Sequence, residues 1–162
     1  MTHKQKRLYQ QALRLLRYAT PLRTDCGVLC DRECCKGDDE TGMLLFPGEP
    51  TALRVIDNAG RRLAVCGGGC SRSARPLSCR IFPFFPFLNA DGTVGVRIDP
   101  RGRLVCPLVR QSQNVVFSRR FLHRVRRAGE LLCRDAACRA FLQEMQQEIA
   151  QQQTIEARFS KK

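Results

Sequence analysis

The chain has no long uninterrupted apolar run. Its first twenty residues, MTHKQKRLYQQALRLLRYAT, are broken every few positions by charged or amide side chains and hold no small-residue cleavage site. No secretory leader is therefore expected. No stretch approaches the ~18 apolar residues of a membrane span. The expectation is a soluble, cytoplasmic protein with no membrane partner. A Cys-x2-Cys pair beside a βαβ pattern is missing, which excludes a thioredoxin-type redox site. The radical S-adenosylmethionine signature Cys-x3-Cys-x2-Cys is missing too, because here x3 occurs twice, and the chain lacks the length for the partial barrel of such enzymes. No glycine-rich cofactor loop follows a strand-like run. Acidic residues are few, 15 Asp and Glu against 28 Lys and Arg. That balance suits an acidic partner, whether nucleic acid or an acidic protein or peptide, and it equally suits plain solubility.

Against these absences stand ten cysteines in 162 residues. In a reducing compartment a dense, closely spaced thiol set reads as a metal site rather than a disulfide framework. Two sites, each of four thiolates and a divalent metal, would lower the formal charge from +13 to about +9 and leave the protein basic.

Four of the thiols fall within TDCGVLCDRECC. Cys26-x3-Cys30-x3-Cys34 places three sulfurs on one side of a helix, if this segment is helical. Cys35 then points about 100° away from Cys34 and must serve a second metal, a second atom of a cluster, or the core. Downstream, Ala52 to Ile56 and Arg62 to Cys66 flank DNAG, whose glycine suits a hairpin turn, so a hairpin delivers Cys66. Glu49, before Pro50, reads as an exposed turn carboxylate, with a ligand or hydrogen-bonding role as the alternative. Cys66 and Cys70 are separated only by three glycines, which permit a tight bend around a metal about 2.3 Å from each sulfur. Cys79 lies in RPLSCRIFPFFPFL, between Arg75 and Arg80, which could neutralise thiolate charge. Pro83 and Pro86 argue against a regular helix or central strand there, so Phe82, Phe84, Phe85 and Phe87 are expected to wrap the centre or fill the core. A second hairpin, from Val94 to Ile98 and Leu104 to Cys106, delivers Cys106.

The flanks read as helices. Leu8, Ala12, Leu15, Leu16 and Ala19 form an apolar stripe ended by Pro21. Ser118 and Asp135 can cap two helices near the C-terminus, and the tail from Gln151 is expected to fray. Arg119, Arg120, Arg124, Arg126 and Arg127 around His123 are the best anion-binding candidate, although a solvated helix face is the simpler reading without interleaved exposed aromatics. Cys133 and Cys138 read as buried apolar residues.

The run CGVLCDRECC, then Cys66-x3-Cys70, then RPLSCRIFP, then Cys106-Pro107, resembles the YkgJ-like or CxxCxxCC family of cysteine-cluster domains that chelate zinc or iron. The likeness spans Cys26 to Pro107. It implies eight ligands, Cys26, Cys30, Cys34, Cys35, Cys66, Cys70, Cys79 and Cys106. Three residues rather than two separate the first three thiols here. A similar cluster in flagellin lysine methylases implies an iron-sulfur centre and keeps an enzyme or maturation factor acting on a protein side chain as an alternative. A basic zinc protein that binds nucleic acid is the other.

The expectation is thus one small α+β domain. It has an N-terminal helix over 1–19, a cysteine-rich metal-binding core over 20–108 with two short β-hairpins, two C-terminal helices over 115–150, and a polar tail over 151–162. Its cofactor is expected to be zinc or iron, the latter as an ion or a 4Fe-4S cluster.

Overall fold

The computed structural model describes residues 1–159. Helix α1, His3–Leu15, starts at a capping box: the Thr2 hydroxyl accepts from the Gln5 amide at 3.2 Å, and the Gln5 side chain accepts from the Thr2 amide at 2.9 Å. It buries Leu8, Tyr9 and Ala12, and Leu16 just past its end.

Strands β1 (Met43–Leu44), β2 (Arg54–Asn58) and β3 (Arg61–Val65) form an antiparallel sheet in the order β1-β3-β2. The β2-β3 hairpin turns at Ala59 and Gly60, both at positive φ, as a two-residue turn with right-handed strand twist requires. Helix α2 (Leu77–Ile81) precedes a second antiparallel pair, β4 (Phe84–Leu88) and β5 (Val94–Ile98), in which Phe84 faces Ile98 and Leu88 faces Val94. Helices α3 (Pro107–Arg110), α4 (Arg119–Leu132) and α5 (Ala136–Phe159) complete the chain. Ser118 accepts from the Phe121 amide at 3.3 Å and Asp135 from the Cys138 amide at 3.1 Å, as their positions predict.

The architecture is α+β, with both flanking helical parts in place and two hairpins. Three expectations are corrected. The phenylalanine-proline run is a strand: a two-stranded sheet has only edges, so the missing N–H of Pro86 costs no ladder bond. The second hairpin is consequently β4-β5, and residues 100–104 form a 3-10 turn instead of a strand leading to Cys106. Helix α5 does not fray at Gln151; it continues to Phe159, while the end of the tail lies outside the described residues.

The hydrophobic core lies between α1, α4, α5 and the β4-β5 pair. Phe46 stacks on Phe85 with ring centroids 6.0 Å apart, and Phe84 meets Phe117 edge-on at 4.8 Å. Helix α5 is pinned to the outer edge of β4 by Gln146, which both accepts from and donates to the Leu88 backbone, at 3.0 and 3.1 Å. Helix α4 crosses the hairpin at Gly129, where an added Cβ would sit 2.6 Å from Pro86 Cβ and 2.9 Å from Val94 Cγ1. Gly129→Ala is therefore expected to lower stability by about 1–3 kcal/mol, despite alanine's better helix propensity, because helix and hairpin must separate. A thermal or urea denaturation curve with an unchanged midpoint would show that the contact yields freely.

One stretch stands apart from this core. Residues 22–42 contribute no side chain to it, and Val28 and Leu29 are 77% and 68% exposed. Among the described residues no helix is long and apolar enough to cross a membrane.

Candidate metal centre

The apolar-poor stretch carries Cys26, Cys30, Cys34 and Cys35. No continuous helix holds them. Cys26–Val28 and Glu33–Cys35 are single 3-10 turns, and between them Asp31 and Arg32 take left-handed conformations at φ 47° and 52°. The side-chain oxygen of Asp25 caps the first turn by accepting from Gly27 N at 3.1 Å. The helical x3 spacing is thus not what brings these thiols together; a reversal of the chain does. Two backbone bonds tie the stretch to the end of β3, from Gly37 N to the Cys66 carbonyl at 3.2 Å and from Gly68 N to the Cys35 carbonyl at 3.1 Å.

The other four thiols lie on or beside the downstream elements. Cys66 follows β3 directly, Cys70 closes the glycine loop, Cys79 sits mid-way along α2, and Cys106 precedes α3 as its N-cap. Within Gly67-Gly68-Gly69 only Gly68 has positive φ, at 89°, and no neighbour lies within 4 Å of a Cβ placed on any of the three. The bend at Gly68, not close packing, is what calls for glycine.

All eight sequence-predicted cysteines line one cavity of about 70 Å³. None is in a disulfide. Cys133 and Cys138 are buried elsewhere, in the core, and the Cys138 sulfur lies 3.3 Å from the Tyr9 hydroxyl. Among the described residues, no three His, Cys, Asp or Glu side chains are drawn closely enough together to form a finished metal site. The thiols therefore surround a common space without closing on a point.

Their electrostatics divide them. The thiols of Cys34, Cys35, Cys66 and Cys70 interact in series, and Arg75 adds its guanidinium to Cys70. Cys79 feels Cys35, Cys70 and Cys66, whereas Cys26 feels Cys30 and Cys106. Burial raises Cys26 to about 11, with Asp25 adding to the effect, and burial also raises Cys66, Cys79 and Cys106. At Cys106 the amides of Val109 and Leu108, at the start of α3, pull the other way. Cys34 is raised by its thiol contact with Cys35 and by burial. Cys35 is lowered by the same contact, and Arg75 and Arg32 assist. Burial thus opposes ionisation at Cys26, Cys34, Cys66, Cys79 and Cys106.

Arginines frame the cavity in unequal ways. Arg72 caps the end of α1, donating to the carbonyls of Leu16, Arg17 and Ala19, and Arg80 donates to those of Leu13, Ser73 and Arg75. These two are structural. Arg75 is the one directed at a thiol, and its Nε is buried with no hydrogen-bond partner.

Glu49 corrects the sequence reading most sharply. It is 1% exposed, and its carboxylate accepts from Phe46 N and Ser78 N, each at 2.9 Å. Ser78 lies in the first turn of α2, so Glu49 caps the helix that carries Cys79. Nothing in GEP distinguishes a buried carboxylate from an exposed one; one partner amide, Phe46, is three residues away, but the other, Ser78, is on a segment 29 residues away. A second, more open cleft of about 550 Å³ adjoins the cavity and shares Cys34, Met43 and Phe82 with it, so a ligand could lie beside the thiols.

Comparison with known proteins finds no matching family model, no matching curated protein and no matching solved structure.

Proposed function

We propose that this chain is a cysteine-cluster protein whose eight thiols, Cys26, Cys30, Cys34, Cys35, Cys66, Cys70, Cys79 and Cys106, hold zinc or iron, and that it is related to the YkgJ-like proteins it resembles. The observation that carries the reading is that eight sulfurs from segments up to 80 residues apart line one cavity while the remaining two do not. All-sulfur donor sets select soft or borderline metals. Stretch 22–42, which has no apolar anchor in the core, gives the second support. Such a segment has little to offset its ordering entropy unless ligation does so.

The electrostatic grouping suits two sets of thiols. Cys35, Cys66, Cys70 and Cys79 interact with one another, Cys26 interacts with Cys30 and Cys106, and Cys34 feels members of both sets; Arg75 acts most directly on Cys70 and Cys35 and also on Cys26. A positive guanidinium beside one set offsets part of the negative charge that four thiolates leave around a divalent metal. The adjoining cleft favours, as a second reading, a metal-dependent enzyme acting on a side chain brought up to Cys34.

The test is anaerobic purification followed by elemental analysis and a visible spectrum. Absorbance near 400 nm with iron and labile sulfide identifies an iron-sulfur cluster; a colourless protein with stoichiometric zinc identifies a closed structural site. Protein with neither metal, and with the eight cavity thiols free to a thiol reagent without denaturant, would falsify the proposal.

A further inference from the structure

Residues 1–24 carry six basic side chains, Lys4, Lys6, Arg7, Arg14, Arg17 and Arg23, and no acidic one. All six are exposed, and none is ion-paired among the described residues. The stretch packs through α1 against α4, whose Arg119, Arg120 and Arg124 are also unpaired; only its last arginines, Arg126 and Arg127, meet Glu130. The acidic side chains of the molecule fall mostly elsewhere, between Asp31 and Asp57 and along α5. The basic excess is thus segregated on the outward sides of two adjacent helices.

At one end of this face the two elements are tied together, because the Ser118 amide donates to the Pro21 carbonyl at 2.9 Å. That bond sets Arg119 and Arg120 beside the turn after α1, and the turn holds an aromatic ring. Tyr18 is 76% exposed, with the Arg17 guanidinium 5.1 Å from its ring centroid. An exposed aromatic among unpaired arginines is the combination used to stack a base while the backbone phosphates are neutralised.

We propose that this end of the α1-α4 face, centred on Arg17, Tyr18, Arg119 and Arg120, binds single-stranded nucleic acid. Duplex is disfavoured because its bases are already stacked on one another, whereas the exposed Tyr18 ring can stack on the free base of a single strand. Insertion into a membrane surface is disfavoured because the apolar stripe of α1 is spent on the core. Arg17, Tyr18, Arg119 and Arg120 do not line the thiol cavity, although Pro21, whose carbonyl ties the two elements, does, so binding is measured on protein of known metal content.

The experiment uses the full chain as purified, with fluorescently labelled 20-mers of oligouridylate and oligothymidylate followed by anisotropy. Saturable binding of either is expected, weakening between about 50 and 200 mM salt with a log-log slope of about −2 or steeper. The pair Arg119→Glu and Arg120→Glu should weaken it at least about tenfold, and Tyr18→Ala about fivefold, with recovery in Tyr18→Phe. Arg134→Glu, exposed just beyond the far end of α4, is the charge-matched control for Arg119→Glu alone and should stay within about twofold. Metal content and far-ultraviolet circular dichroism of each variant separate lost binding from lost folding. The proposal is overturned by no saturable binding at low salt, by tighter binding of a duplex of equal length, by equal losses in Arg134→Glu and Arg119→Glu, or by an unaltered Tyr18→Ala. Binding of polyglutamate or anionic vesicles that neither oligonucleotide displaces overturns it as well.

Discussion

If the eight thiols hold metal as proposed, Cys79→Ser is expected to lower bound metal by at least about half and to drive much of the protein into the insoluble fraction, whereas Cys133→Ala is expected to change neither. The asymmetry follows from where the two sulfurs sit. Cys79 is carried on α2, whose Leu77 and Ile81 are core residues, so this helix joins the thiol cavity to the hydrophobic core. Burial, the Glu49 carboxylate and the thiols of Cys35, Cys70 and Cys66 all hold the Cys79 thiol well above its ordinary range. A sulfur in that setting becomes a thiolate only when a metal cation supplies the opposing charge. Serine offers a harder, far less acidic donor and cannot take its place. Cys133 is as buried as a core leucine, but it faces away from the cavity and serves only packing. Its shortening to alanine removes one sulfur's worth of contact at the end of α4. Metal per chain by mass spectrometry, with the soluble fraction after expression, is the measurement. Equal losses at the two positions would mean that the ligand set has been misassigned.

Much of this arrangement was legible in the chain, and the limits of its legibility are physical. The end caps at Ser118 and Asp135, the apolar stripe of α1 and the DNAG turn are local features. Each is decided by residues within four positions, and each recurs in the structure. The eight cavity cysteines could be picked out because thiols so closely spaced have few other uses. What could not be read was conformation under competing demands. The x3 spacing of Cys26, Cys30 and Cys34 fits a helix, yet the chain reverses at Asp31 and Arg32, and no helical stripe of apolar residues was there to prefer the helix. Pro86 argues only against a helix or a central strand, and β4, with one neighbour, is neither; that the phenylalanines lie on a ladder at all is set by its pairing with β5. For Glu49 the sequence leaves an exposed and a hydrogen-bonding role both open, because its burial depends on the Ser78 amide, which only the folded chain brings to it.

The Phe46 and Ser78 amides make Glu49 a position outside the thiols where a single change should be costly. Glu49→Ala leaves the Phe46 and Ser78 amides buried without an acceptor and unfastens the start of α2, so a loss of about 2–4 kcal/mol is expected from urea denaturation. Charge adds a pH dependence of defined sign. Desolvation raises the Glu49 carboxyl from 4.5 to about 7, although the Ser78 and Phe46 amides partly oppose the shift. The folded state therefore holds this proton more tightly than the unfolded chain, and the contribution is fully present below about pH 4.5 and lost as pH rises through about 7. The native protein should lose on the order of 3 kcal/mol more than Glu49→Gln between these limits, because glutamine keeps one acceptor and never ionises. The comparison is made at matched metal content, since thiol titration contributes to both proteins alike. Parallel stability profiles for the two proteins across pH 5 to 8 would show that the carboxylate is ionised in the fold throughout, with its two amides outweighing burial.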